Sequence, residues 1–176
     1  MPTLYFTRHG ESTSNGHNIF SGQHDNAQLT SKGIEQARAV GRKIKNEEIK
    51  IDRIIASTLA RTQQTAQIIA EEIGFDSQAI EKEPRLMEYE MGEREGSSRE
   101  GVTYAMLAAT PGAEQAEAFM QRVRAVLDEL KETNATILLV SHAGVGRIIR
   151  CINEGRPAED FYPMPPYPNA TLIKLS

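Results

Sequence analysis

Apolar residues along this chain come in two rhythms. Short unbroken bursts, Leu4-Tyr5-Phe6, Ile54-Ile55-Ala56 after Arg53, and Ile137-Leu138-Leu139-Val140 after Thr136, read as strands, the last apolar enough to be central. Between them apolar residues recur every three or four positions, as helices require. These stretches are Ile34, Ala37, Gly41 and Ile44, then Leu59, Ala66, Ile69, Ala70 and Ile73. Ala116, Phe119, Met120, Val123, Leu127 and Leu130 make a third, and Val145, Ile148, Ile149 and Ile152 a fourth. Thr30 is placed to cap the first helix, with Leu29 and Ile34 as a hydrophobic staple, and Gly74 to end the second. Gln78 to Glu81 are expected to form a short edge strand. Thr171 to Leu175 should form a last strand after the turn-rich Pro163 to Pro168. Alternating strands and helices predict an α/β fold, a three-layer α/β/α sandwich around a mostly parallel sheet. The 176 residues, 39% hydrophobic, suit one substantial core, so a single domain over residues 1–176 is expected.

The chemistry gathers where the bursts stop. Arg8-His9-Gly10 follows the first. Ser57-Thr58 closes the second, and Arg61 falls in the first turn of the helix after it. Ser141-His142-Ala143-Gly144 closes the third. A helix start is the positive end of the backbone dipole, so an arginine there is mildly disfavoured unless an anion visits. Strands of one parallel sheet would bring Arg8, His9, Arg61 and His142 to its carboxyl edge, where α/β proteins bind ligands. Forked guanidinium donors and helix-start amides suit a phosphoryl group, which a neutral imidazole can attack. Taken singly, each residue has a blander reading: a solvated arginine, a structural histidine. Only their convergence reverses the odds.

These residues carry a resemblance. Thr7-Arg8-His9-Gly10-Glu11-Ser12 with Asn15 resembles the signature of the histidine phosphatase superfamily, also called phosphoglycerate-mutase-like. Ser57-Thr58-Leu59-Ala60-Arg61-Thr62-Gln63-Gln64-Thr65 is similar to its second block. Leu86-Met87-Glu88 with Gly92 and Glu95-Gly96 is similar to the acid-bearing block, and Ser141-His142-Ala143-Gly144 to the last. The blocks stand in the family's order over nearly the whole chain. The resemblance implies a phosphatase acting on a phosphomonoester through phosphohistidine on His9. Arg8, Arg61 and His142 would hold the phosphoryl oxygens, Asn15 would assist, and Glu88 would be proton donor. Glu90, Glu93 and Glu95 compete with Glu88 by spacing alone, and only the Leu-x-Glu pattern singles it out. The Gly96 to Pro111 connection is shorter than in the mutase branch, which favours hydrolysis over transfer by leaving the intermediate open to water. A phosphoglycerate mutase, a phosphoprotein or phosphohistidine phosphatase, and a non-catalytic binder of phosphorylated ligands remain the alternatives.

Composition narrows partners. Twenty Lys and Arg against 24 Asp and Glu give a formal charge of −4, which argues against nonspecific nucleic-acid binding while permitting a positive pocket. The expected partner is a small phosphorylated substrate, with a phosphopeptide as the larger alternative. His9, His17, His24 and His142 lack metal-ligand spacing, so no metal or other cofactor is implied. Gly144-Val145-Gly146 lacks the third glycine of a dinucleotide fingerprint. No run approaches membrane-spanning length and no signal stretch precedes the first strand, so a cytoplasmic protein is expected. Cys151 sits in an apolar helix and reads as a buried structural thiol. His17 and His24 are expected to be ordinary loop residues. Arg94 stands where many relatives carry an aromatic, and the Pro163 to Pro168 stretch is a candidate border of the pocket.

Overall fold

The computed structural model describes residues 1–175. Its sheet has five strands: β1 (Thr3–Arg8), β2 (Arg53–Ala56), β3 (Glu81–Lys82), β4 (Thr136–Ser141) and β5 (Ile173–Lys174), in the order β3-β2-β4-β1-β5. The first four run parallel, and β5 adds an antiparallel edge beside Tyr5 and Phe6. The helices are α1 (Thr13–Gly16), α2 (Ser31–Asn46), α3 (Ala60–Ile73), α4 (Tyr104–Ala108), α5 (Ala116–Lys131) and α6 (Ala143–Glu154).

Strand periodicity of two explains the layers. In β4, Ile137 and Leu139 join Phe6, Phe119, Val123, Val145 and Ile148 in the core shared with α5 and α6. Leu138 and Val140 point the other way, into the core with Val40 and Ile44 of α2 and Ala66, Ile69 and Ala70 of α3. A strand covered on both faces must be apolar at every position, which is why β4 shows no alternation. Each such side chain removed from water contributes about 1.5–3 kcal/mol.

The predicted ends hold at α2 and α3. The Thr30 hydroxyl accepts from the Gly33 amide at 3.1 Å, and Gly74 takes the left-handed conformation at φ 72°. The edge strand differs from expectation. The Asp76 carboxylate accepts from the Gln78 amide and starts a 3-10 turn over Ser77–Ala79, so pairing begins only at Glu81. The last strand likewise contracts to Ile173–Lys174. Cys151 is buried, as expected. Among the described residues no helix is long and apolar enough to cross a membrane.

Candidate active site

Register places the candidate residues side by side. In the parallel β1–β4 pair Arg8 stands opposite Ser141, so His9 and His142 are the next residues out on neighbouring strands. The His9 amide donates to the Ser141 carbonyl at 2.9 Å, and the two imidazole centroids lie 5.3 Å apart. Across the other flank Ala56 pairs with Val140, which brings Ser57 level with Ser141, one residue short of His142, and Ser57 Oγ lies 2.8 Å from His142 Nε2. Gly10 lets the chain turn here. Its amide donates to Thr65 Oγ1 at 3.1 Å, and a Cβ on it would meet the Gly33 carbonyl at 2.3 Å.

The hydrogen bonds fix the tautomer of His9. Its Nδ1 lies 2.7 Å from the Gly10 carbonyl oxygen, which can only accept, so Nδ1 carries the proton. Burial, with Arg61 and Arg8 adding repulsion, holds the ring's pKa well below 6.5. The ring is therefore neutral at physiological pH and Nε2 has a free lone pair. His142 is depressed for the same reasons, burial first, then Arg61 and His9. Ser57 Oγ already receives the Leu59 amide at 3.4 Å, so its own proton suits His142 Nε2 and leaves Nδ1 as an N–H donor.

Arg8 and Arg61 differ. Arg8 lines the pocket and is anchored by one bond to the Tyr167 carbonyl at 3.2 Å, and burial pushes its pKa down to about 10, still charged. Arg61 is 1% exposed and set behind the pocket. Its Nη1 donates to Asp25 at 2.8 Å and its Nη2 to the Ser21 and Gly22 carbonyls. The anion anticipated at this helix start is thus supplied in part by the protein itself. Burial alone would raise the Asp25 carboxyl, but hydroxyls of Ser21 and Ser14 and the Arg61 charge outweigh it and hold it below the usual range. Arg8 Nε, Arg61 Nε and His142 Nδ1 remain buried without a protein partner. Three unmatched donors around one imidazole suit an oxyanion.

Glu88 shares the pocket with His9. Its two oxygens accept the Tyr89 amide at 2.8 Å and the Gly144 amide at 3.1 Å. A Cβ at Gly144 would fall 2.2 Å from Glu88 Oε1, so this glycine serves close approach rather than a dinucleotide. Arg122 of α5 positions the segment by donating to the Met87 and Glu88 carbonyls at 2.9 and 3.0 Å while pairing with Glu114. Asn15 also lines the pocket. Its Oδ1 accepts from Ser12 and Asn169, leaving the amide nitrogen as the donor for a ligand.

The competing acids separate by geometry. Glu95 accepts from the Gly22 and Asp25 amides, and Glu90 pairs with exposed His24 at 2.7 Å. Neither they nor Glu93 line this pocket. Glu11 takes the Thr30 hydroxyl, His17 bonds the Thr13 carbonyl, and Arg94 Nε donates to Thr110 at 2.8 Å, all outside it. From the Pro163 to Pro168 stretch, only the Tyr167 carbonyl takes part, through Arg8.

Sequence reasoning missed the pocket's wall. The cavity, about 40 Å³, is bounded by Ile19, Phe20, Met91, Leu107, Phe161 and Tyr162, and by Arg99 and Arg147. Arg99 and Leu107 come from the Gly96 to Pro111 connection, so that connection, though short, walls the site. The available signal was Arg147, an arginine set among the apolar positions of α6 next to His142.

A neutral imidazole beneath guanidinium donors, with a carboxylate across the pocket, defines an α/β enzyme that handles an anionic group. A family model described as histidine phosphatase superfamily (branch 1) matches residues 4–176, and the chain belongs to that superfamily. It is 39% identical over 156 residues to a protein of Enterobacter sp. (strain 638) named "Probable phosphoglycerate mutase GpmB", covering 81% of this chain and 70% of that one. The alpha-ribazole phosphatase from Shigella flexneri superposes with a TM-score of 0.79 at 27% identity, over 97% of this chain and 88% of that one. Bacillus stearothermophilus YhfR shares the fold, with a TM-score of 0.84 at 24% identity over 98% and 89%. The protein is an enzyme of this phosphatase and mutase type.

Proposed function

We propose that the protein is a metal-independent phosphatase that hydrolyses a phosphomonoester through phosphohistidine on His9. The observation that carries this reading is the Nδ1 bond to the Gly10 carbonyl, which leaves a neutral ring with its Nε2 lone pair free. Nε2 forms a bond to phosphorus as the ester oxygen leaves, and Glu88 gives that oxygen its proton, releasing an alcohol. Water then attacks the phosphoryl group, Glu88 takes the proton, and phosphate departs from a ring returned to its neutral state. Arg8 and Asn15 hold the phosphoryl oxygens, with the unpartnered His142 Nδ1 beside His9 and the Arg61 charge behind the pocket adding to the field, since charge is what such a transition state most needs stabilised.

Hydrolysis is favoured over a mutase role by the wall. Phe20, Met91, Leu107, Phe161 and Tyr162 make much of that wall apolar, which suits an apolar organic leaving group better than a hydroxylated sugar acid. The same reading puts the enzyme in the cytoplasm, where a single thiol such as Cys151 stays reduced. The test is a partition experiment. Labelled substrate should leave acid-labile phosphate on His9 that passes to water. Faster transfer to a phosphoglycerate acceptor would make the protein a mutase, and no label on His9 would make it a binder.

A further inference from the structure

The segment that leads into β5 holds three pocket residues without entering the pocket. Arg8, His9 and Asn15 line the cavity, and Asn169 does not. Residues 167–170 run beside the end of β1, where Asn169 pairs with Arg8 as an isolated parallel bridge. The Tyr167 carbonyl accepts from Arg8 Nη1 at 3.2 Å, and the Ala170 amide donates to the Arg8 carbonyl at 2.9 Å. Between these two contacts the Asn169 side chain directs both hydrogens of its amide nitrogen inward. One goes to the His9 carbonyl at 2.9 Å, the other to Asn15 Oδ1 at 3.3 Å.

Backbone groups decide which way both amides face. The His9 carbonyl can only accept, so Asn169 must turn its nitrogen toward it. The Ser12 amide can only donate, and it reaches Asn15 Oδ1 at 3.2 Å. Asn15 Oδ1 therefore faces Ser12 and Asn169, and the Asn15 nitrogen is left for the cavity. An amide side chain has nearly the same shape when flipped, so hydrogen bonds alone choose its orientation. A flipped Asn15 would set an acceptor against the phosphoryl oxygens. With Asn169 in place, the flip would also set N–H against N–H at two positions.

We infer that Asn169 is a positioning residue of the phosphoryl site, which locks the Asn15 amide with its nitrogen toward the bound group and pins the His9 backbone, without touching substrate itself. The inference rests on the phosphatase reading and adds to it a residue outside all four sequence blocks, 154 positions from Asn15. Preorganised donors of this kind gain their effect from a fixed orientation, which a second set of hydrogen bonds supplies.

The first measurement is a double-mutant cycle on kcat/KM for nitrophenyl phosphate, whose good leaving group keeps Glu88 out of the comparison. Asn169→Ala should lower kcat/KM about tenfold. In the Asn15→Ala background the same change should cost much less, so that the combined loss falls short of the product of the single losses by about fivefold or more. Losses that multiply would mean that Asn169 supports the fold and not Asn15, and would overturn the inference. A second measurement needs no turnover. In protein labelled with nitrogen-15, the Asn15 side-chain amide signal, assigned by its loss in Asn15→Ala, should shift on addition of inorganic phosphate. In Asn169→Ala it should shift less than about half as far. An equal shift in the variant, or none in the wild type, would also overturn the inference. A shift that depends on Asn169, with no hydrolysis of any ester, would uphold the positioning role and sink the phosphatase reading instead. Thermal melts separate lost positioning from a lost fold, and Asn169→Leu, of nearly the same shape as asparagine but without its donors, decides if Asn169→Ala does not fold.

Discussion

The floor and the wall of the pocket are built on different principles. At the floor, His9 lines the pocket with His142 and Ser57 packed beneath it; each follows a strand end, and the register of three neighbouring parallel strands brings them together. They are almost wholly buried, at 4%, 0% and 0% exposure, and every one is tied by hydrogen bonds to backbone or side chain. The wall is drawn from the α1–α2 connection, the segments around Met91, Arg99 and Leu107, the middle of α6, and the 3-10 turn at Ala158–Phe161. Its arginines are partly exposed and unpaired. The lesson is a division of labour: sheet register positions the reacting atoms, and the loops and α6 decide what is attached to them.

That division can be broken by variants. His9→Ala should cost about a thousandfold or more in kcat with every substrate, because it removes the attacking atom. Residual turnover within tenfold of wild type would mean that the floor does not do the chemistry. Glu88→Gln lies at the seam between floor and wall. It should lower kcat by about 10²–10⁴-fold for alkyl phosphates, whose leaving oxygen needs a proton, and much less for nitrophenyl phosphate. Equal losses for both would remove Glu88 from the proton-donor role.

Gly144→Ala sharpens the same seam. Its Cβ would fall 2.2 Å from Glu88 Oε1, and moving that buried carboxylate breaks its bonds to the Tyr89 and Gly144 amides, so stability should fall by about 1–3 kcal/mol. Turnover of alkyl phosphates should also drop about tenfold, and rescue is expected with good leaving groups. Unchanged alkyl phosphatase kinetics would show that the Glu88 position is not critical.

The smallest effect is on stability against pH. His9 and His142 stay neutral in the folded protein below 6.5, burial being the main cause and Arg61 the next. As pH falls through 6.5 the unfolded chain takes up protons first, so stability contributed above that value is progressively lost toward the lower folded pKa values. Scanning calorimetry should show Tm declining below pH 6.5, with a shallower slope in His142→Gln. A slope unchanged by that variant would place the titration elsewhere.

Much of this was legible beforehand. Leu4 to Gly10, Ile54 to Arg61 and Ile137 to Gly144 each announce a strand, a stop and a polar residue at the stop, because burial on both faces demands unbroken apolar runs and the turn demands glycine or serine. The sheet order, the pairing of Arg61 with Asp25 and the support of Glu88 by Arg122 were not. Asp25 lies 36 positions from Arg61, and Glu88 lies 34 from Arg122. No periodicity spans such distances.

The sequence by itself determined which residues end strands and therefore which could stand at one edge, since local backbone preference and side-chain burial act over a few neighbours. Only the tertiary structure decided that Arg61 would stand behind the pocket rather than in it, that Glu88 rather than its neighbours would share the pocket with His9, and that Arg99 and Arg147 would line one cavity. Contacts between distant segments arise when whole elements pack, and packing is a property of the assembled layers rather than of any stretch within them.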